Sequence, residues 1–411
     1  MIHVSVLFQL LNNFLFICVT VGSYHIIREF KSSYLACMIV LHMSVNVAFM
    51  TSNVIIFFMF FEFIVIPMYF LIMVYGNREW EKIRAVNLLL LFTICSGMFM
   101  LIGLIKMYVE IGSVNATTLY YIGLGSNVRW AYYAFLCFAL TFSVKLPLMP
   151  FHIWLTQAHV EAPMSGSVIL AGILLKLGGY GFIKYGLTLF PQEFMILCSK
   201  FKLICLLSIF LGSICTCVQV DIKRLIAYSS VVHMSMCIYP IFNNPESYGV
   251  NACVVGMIAH GFTSPGLFLV VGFLYERTNS RNIIYYGGFS HTLPVFSGVA
   301  LVIILASMGI PGSINFIGEI FMLLNAISSV GVIQCLLITF GMFTTLIYSL
   351  KLYTYIFTGL PVEVGEFSSP CGEIGHTSPY DLTLKEAISL SLCSIPVFIF
   401  GLHLPGWFLV Y

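Results

Sequence analysis

Apolar runs of bilayer-crossing length follow one another along this whole chain, and that recurrence leaves few folds open. A crossing α-helix needs about 20 mostly apolar residues. Runs of this kind lie near 3–22, 34–51, 53–75, 85–106, 130–150, 164–187, 196–217, 223–242, 250–275, 294–327, 331–357 and 386–405. The expected fold is an all-α polytopic membrane protein of about twelve transmembrane helices. Composition agrees, with 8% of the 411 residues charged and 60% hydrophobic. A soluble globular chain carries roughly 25% charged residues. No stretch reads as a separate soluble domain. The opening MIHVSVLFQLLNNFLF lacks a basic leader region and reads as a retained span.

The charges that remain are placed unevenly. Arg28, Lys31, Arg78, Lys82, Arg84, Lys223, Arg224, Arg277 and Arg281 fall in loops on one side. Lys106, Arg129, Lys200 and Lys202 fall on the other. The richer side is expected to face the matrix or cytoplasm. An even span count then puts both termini on the opposite side.

Two spans are interrupted. Lys145 is followed at once by Pro147 and Pro150. Proline removes the hydrogen bond to the carbonyl four residues back, here those of Ser143 and Leu146, so the helix is expected to break where the charge sits. Such backbone persists in a membrane only inside protein or beside a wet cavity. The run 294–327 is too long for one straight crossing and is interrupted at Gly309-Ile310-Pro311-Gly312. Each break is at the fourth span of a five-span block, 34–187 and 196–357. Residues 1–33 and 358–411 flank the blocks. Matching breaks in two odd-numbered blocks point to two inverted repeats with an ion path at mid-membrane.

Six ionisable groups lie well inside spans: Glu62, Lys145, Lys176, His233, His260 and Glu319. An Asp, Lys or Arg at a helix centre costs roughly 2.5–3.5 kcal/mol on insertion scales, and the default reason is an ion or proton path. The structural alternative is a set of buried pairs that fix helix packing. Glu62 precedes Pro67, which frees the carbonyl of Phe63 and bends the helix. Lys145 is its expected partner, by direct or one-water contact. Lys176 has Gly172 and Gly179 on its face, leaving room for a helix or for water. His233 sits on a stripe with Ser229 and Ser230, and His260 is one turn from Ser264 and Gly256. Both suit a relay, because histidine titrates near neutrality; either could equally be a hydrogen-bonded core residue. Glu319 follows Asn315 by one turn and is read as the end of a path or as a helix cap. His152 and His159 are expected in a loop or at an interface, and Asp221, Lys223 and Arg224 in a solvated interface cluster.

Other classes are excluded. A net charge of +2 without a basic stripe gives no nucleic-acid partner. The thirteen cysteines include no CxxC, the closest pair being Cys215 and Cys217, and they read as small apolar side chains. Gly178-Gly179-Tyr180-Gly181 follows no strand and is no nucleotide loop.

HIWLTQAHVEAPMSGSVILAGILLKLGGYGF (152–182), DIKRLIAYSSVVHMS (221–235), AHGFTSPGLF (259–268), GIPGSINFIGE (309–319) and FFEFIVIP (60–67) together resemble the antiporter-like membrane subunits of respiratory complex I. The resemblance runs over nearly the whole chain. It implies a coupled Glu62–Lys145 pair, Lys176 as the central proton carrier, His233 and His260 as the connecting relay, and Glu319 as the terminal group. Sibling subunits are expected to carry lysine at that last position, and AHVEAP is specific, so both point to one subunit type.

The resemblance further implies a proton-translocating subunit with no cofactor of its own. NADH, flavin, iron–sulfur clusters and ubiquinone would be bound by other subunits. Partners would be other complex I membrane-arm subunits, including neighbouring antiporter-like chains, and the lipid bilayer. The rival functions are a subunit of a multi-subunit sodium/proton antiporter and a non-pumping scaffold. Members usually carry two further spans ahead of the first one here. Thr156-Gln157 replaces the family's proline-lysine, which removes a charged contact at that loop. The compact length favours a mitochondrial inner-membrane protein over one of a bacterial plasma membrane.

Overall fold

A computed structural model describes residues 2–24, 27, 30–76, 78–122, 129–328, 331–359 and 381–403. Arg28 and most of the stretch 358–411 lie outside them. The described residues form helices and no strand. Ten helices are long and apolar enough to cross a membrane. They are α1 (Ile2–Ser23), α2 (Lys31–Met50), α3 (Val54–Tyr75), α4 (Glu79–Ile111), α7 (Met164–Leu187), α8 (Pro191–Val218), α9 (Ile222–Asn243), α10 (Ser247–Thr278), α13 (Val332–Phe357) and α14 (Leu384–Leu402). The shorter helices α5 (Arg129–Lys145) and α6 (Ile153–Glu161) make one interrupted crossing, and α11 (Pro294–Ser307) and α12 (Ile314–Ser328) make another. Among the described residues the crossings number twelve, as the apolar runs require.

The first interrupted crossing is longer than its apolar run. Residues 153–161 form a second half-helix where a connection between spans was expected. The polar letters of TQAH hid it, because this half-helix is buried in protein and has no lipid face to keep apolar. His159 is fully buried, with its ring stacked 4.5 Å from that of Phe268.

The helices sort by burial. Inside the protein lies 94% of the apolar window of α7 and of α10, and 89% of that of α9, against 33% for α13 and 22% for α14. The helices carrying Lys176, His233 and His260 are therefore the centre of the bundle.

The two blocks share a local signature. Asn53 caps α3 by accepting from the amides of Ile55 and Ile56 at 2.9 and 3.4 Å. Asp221 caps α9 by accepting from those of Lys223 and Arg224 at 2.9 and 3.3 Å. Each cap residue also forms an isolated antiparallel bridge, Asn53 with Asn115 and Asp221 with Asn282. The bonds match one for one: Val54 N–H to Val114 O and Ala116 N–H to Ser52 O, then Ile222 N–H to Arg281 O and Ile283 N–H to Val220 O, each 2.9 Å. Both bridges tie the start of a block's second span to the end of its third. An odd number of crossings separates Asn53 from Asp221, so the bridges lie on opposite faces, as inversion of one block requires.

Candidate functional site

Helix α5 ends at Lys145 because the chain ahead cannot continue it. The carbonyl of Ser143 accepts from Leu148 N–H at 3.1 Å instead of from Pro147, and Val144 O takes the indole N–H of Trp154 at 3.0 Å. Ser208 Oγ receives the amide of Met149 at 2.9 Å. The break is thus hydrogen-bonded within protein. Lys145 is buried in it, its ammonium donating to the carbonyl of Phe61 at 3.2 Å and lying 4.5 Å from the centre of the Phe61 ring.

Of the expected direct or one-water Glu62–Lys145 contact, the direct form is absent. Among the described residues the ion pairs are Lys106–Glu110, Arg277–Glu386 and Arg281–Glu161. The amine bonds to the peptide just before Glu62, while the carboxyl turns towards α4. There it lies flat on Gly97: a Cβ at that position would stand 2.6 Å from the Glu62 carboxyl carbon. Glu62 Oε1 is buried without a hydrogen-bond partner. The turn at Ile64 that divides α3 is the bend that Pro67 imposes. A cavity of about 20 Å³ beside Lys145 is bounded by Thr93, Trp154, Leu170, Leu174 and Leu177. One water needs roughly 10–15 Å³.

Lys176 is wholly buried on α7. Residues Leu170–Leu174, just before it, are π-helical, a form that concentrates at functional sites. Its ammonium donates to the carbonyl of Ala171 and lies 2.8 Å from His260 Nδ1 on α10. The glycines expected to clear its face do so for side chains. A Cβ on Gly172 would stand 2.6 Å from Leu15 and 2.9 Å from Pro265, and the Gly179 face is filled by Met257. A Cβ on Gly261 of α10 would stand 3.5 Å from Gly172 O. The small residues bring α7 and α10 close enough for the Lys176–His260 bond.

From His260 the polar line continues. Ser264 Oγ is 3.3 Å from its Nδ1, and the rings of His260 and His233 are 5.6 Å apart. His233 Nε2 is 3.2 Å from the hydroxyl of Tyr348 on α13. The serines on the His233 stripe bond their own helix instead, Ser229 to Ile226 O and Ser230 to Ala227 O. A second cavity of about 20 Å³ is shared by His233, His260, Cys237, Asn315 and Glu319. Glu319 Oε1 and Asn315 Oδ1 are both buried without a partner at its edge. Glu319 lies within α12, past its first turn, and so is no cap. Its carboxyl rests on Gly309, where a Cβ would stand 2.8 Å from the carboxyl carbon.

The structure therefore joins Lys176 to His260 directly, and gathers His233, His260 and Glu319 around one water-sized space. Lys145 and Lys176 share no bond; Leu170, Leu174 and Leu177 of α7 line the cavity on the Lys145 side. Lys223 corrects the solvated-cluster expectation: it is 2% exposed and donates to Ala162 O at 2.8 Å. Beside it Arg281 pairs with Glu161 at 3.2 Å. Tyr348 and Gly97 escaped sequence reasoning altogether, since a tyrosine and a glycine in apolar spans look like ordinary packing.

Residues 51–347 match the family model described as NADH:quinone oxidoreductase/Mrp antiporter, TM. The chain is 40% identical to NADH-ubiquinone oxidoreductase chain 4 of Metridium senile, over 94% of this chain and 75% of that one. It is 37% identical to NADH-quinone oxidoreductase subunit M of Rickettsia conorii (strain ATCC VR-613 / Malish 7), over 97% of this chain and 78% of that one. A chain of respiratory complex I from Thermus thermophilus with bound NADH superposes with a TM-score of 0.87 at 25% identity, over 99% of this chain and 82% of that one. A chain of the Mrp complex from Dietzia sp. DQ12-45-1b has the same fold, with a TM-score of 0.86 at 18% identity, over 97% of this chain and 80% of that one.

Proposed function

Because the chain belongs to the NADH:quinone oxidoreductase/Mrp antiporter transmembrane family, we propose that it is the chain 4 (subunit M) type membrane subunit of a respiratory complex I and moves protons through its buried Glu, Lys and His residues. The redox chemistry belongs to other subunits, and so do NADH, flavin, iron–sulfur clusters and ubiquinone. The units of the pump are the blocks 34–187 and 196–357, and the membrane is the mitochondrial inner membrane.

One observation carries this reading. Lys176, at the centre of the bundle, is bonded to a carbonyl and an imidazole and to no carboxylate. A buried ammonium without a counter-ion is costly. A lysine in that setting can gain or lose a proton as its surroundings change, whereas a paired one is fixed. His260 receives the proton across 2.8 Å. His233 and a single water pass it towards Glu319. A charge change at Glu62 and Lys145 biases Lys176 across the leucines of α7 that line the Lys145 cavity. Moving one charge against 100 mV needs about 2.3 kcal/mol, which quinone reduction elsewhere supplies through that bias.

The test is NADH-driven proton uptake by vesicles holding the assembled complex. With Lys176→Gln, uptake per NADH is expected to fall while the complex stays assembled. Unchanged uptake refutes the path. Sodium-driven uptake without NADH would identify an antiporter subunit instead.

A further inference from the structure

Helices α1 and α2 carry a polar cluster that the proton path does not use. Asn12 Nδ2 donates to Asn46 Oδ1 at 2.9 Å and to the carbonyl of His42 at 3.2 Å. Asn46 Nδ2 donates to Asn13 Oδ1 at 3.0 Å. The His42 ring stacks on Phe16 at 4.2 Å. Asn12 is buried, His42 and Asn46 are half-buried, and Asn13 is exposed. The amide N–H groups of Asn13 find no acceptor among the described residues.

The depth of this cluster is what matters. Asn13 lies near the middle of α1, about 16 Å along it at ~1.5 Å per residue. That is mid-plane in a hydrocarbon core about 30 Å thick. Along the same exposed face run Val6, Leu10 and Ile17, with Ile39 and Met43 on α2. Acyl chains satisfy those apolar neighbours. They offer nothing to an amide, and an amide without a partner in such a medium is costly. At this depth a helix is the element that brings a partner group without exposing its own backbone, and Asn, Gln, Ser, Thr and His side chains are what bond across helices there.

We infer that the α1–α2 face, centred on Asn13, His42 and Asn46, is an interaction surface for a transmembrane helix of another polypeptide in the assembly, which presents a hydrogen-bonding side chain at mid-membrane depth. The seam is built for a helix: apolar side chains line it and one polar group locks the register. A lipid tail would need neither the lock nor the three-residue cluster behind it.

The test uses the assembled complex in its native membrane. A diazirine-bearing side chain is placed at position 13. In a second preparation photo-methionine replaces the native methionines and adducts are mapped at Met43, which keeps Asn13 in place. The expected result is an adduct at both positions to a membrane-spanning stretch of one other polypeptide. Adducts to lipid alone, to this chain alone, or to nothing overturn the inference. The bond itself is tested by the yield at Met43: Asn13→Gln should keep it and Asn13→Leu should lower it several-fold. Equal yields in the two variants refute the polar lock.

Discussion

Two groups of buried charge in this molecule are built on opposite plans. At one membrane face Arg281 pairs with Glu161 at 3.2 Å, each side chain 3% exposed, and Lys223 fastens the Ala162 carbonyl beside them. At mid-membrane Lys145 and Lys176 are equally buried, yet each bonds to a backbone carbonyl and neither touches a carboxylate. The first plan fixes charge. An ion pair holds both protonation states and so ties the second half-helix at Glu161 to the bridge residue Arg281. The second plan leaves charge free to change, because a carbonyl can orient an amine without supplying a counter-ion. Burial alone therefore does not mark a proton carrier, since Lys223 is buried on a carbonyl too; what sets Lys176 apart is the imidazole of His260 at 2.8 Å, which can take its proton.

The comparison breaks most visibly at the paired site. Arg281→Met leaves Glu161 buried and unmatched, a loss of about 3–5 kcal/mol. The expected outcome is loss of assembled complex on native gels. Adding Glu161→Met removes the orphaned charge and should recover most of the assembly. If the single variant assembles as the parent does, the pair is not structural.

A smaller effect is expected at the unpaired site from Gly97→Ala. In a helix interior alanine is favoured over glycine by about 1 kcal/mol, so α4 itself should not suffer. The new methyl would meet the Glu62 carboxyl carbon at 2.6 Å and displace it. Proton uptake per NADH should fall several-fold with assembly retained. Parent-like uptake would show that the position of Glu62 is not critical.

The smallest effect is expected from Tyr348→Phe, which deletes the 3.2 Å contact to His233. A single hydrogen bond is worth about 0.5–1.5 kcal/mol, so the proton rate should change by tenfold at most. No change in the rate would make Tyr348 a packing residue.

How much of this could be read from the chain depends on the residue. The interruption after Lys145 was legible, because two prolines cannot continue a helix wherever they fold. The twelve crossings were legible, because lipid enforces run length. The direct Glu62–Lys145 pair was not there to find: opposite charges suggested it, but the Phe61 carbonyl lies nearer to the amine and Gly97 gives the carboxyl a seat elsewhere. Lys223 misled for a related reason. Sequence reasoning places polar residues at span ends in water, whereas here the interrupted crossing folds back and buries them. Gly97 carried no signal, since its role is the absence of an atom against a residue on another helix.

The central claim is that Lys176 is a carrier and not a fixed charge. Lys176→Arg tests it most directly, because a guanidinium keeps its charge and much of the reach but does not give up its proton at physiological pH. Protons taken up per NADH oxidised would be measured in vesicles with fully assembled complex. The proton yield is expected to fall well below the parent's. A yield equal to the parent's would contradict the claim.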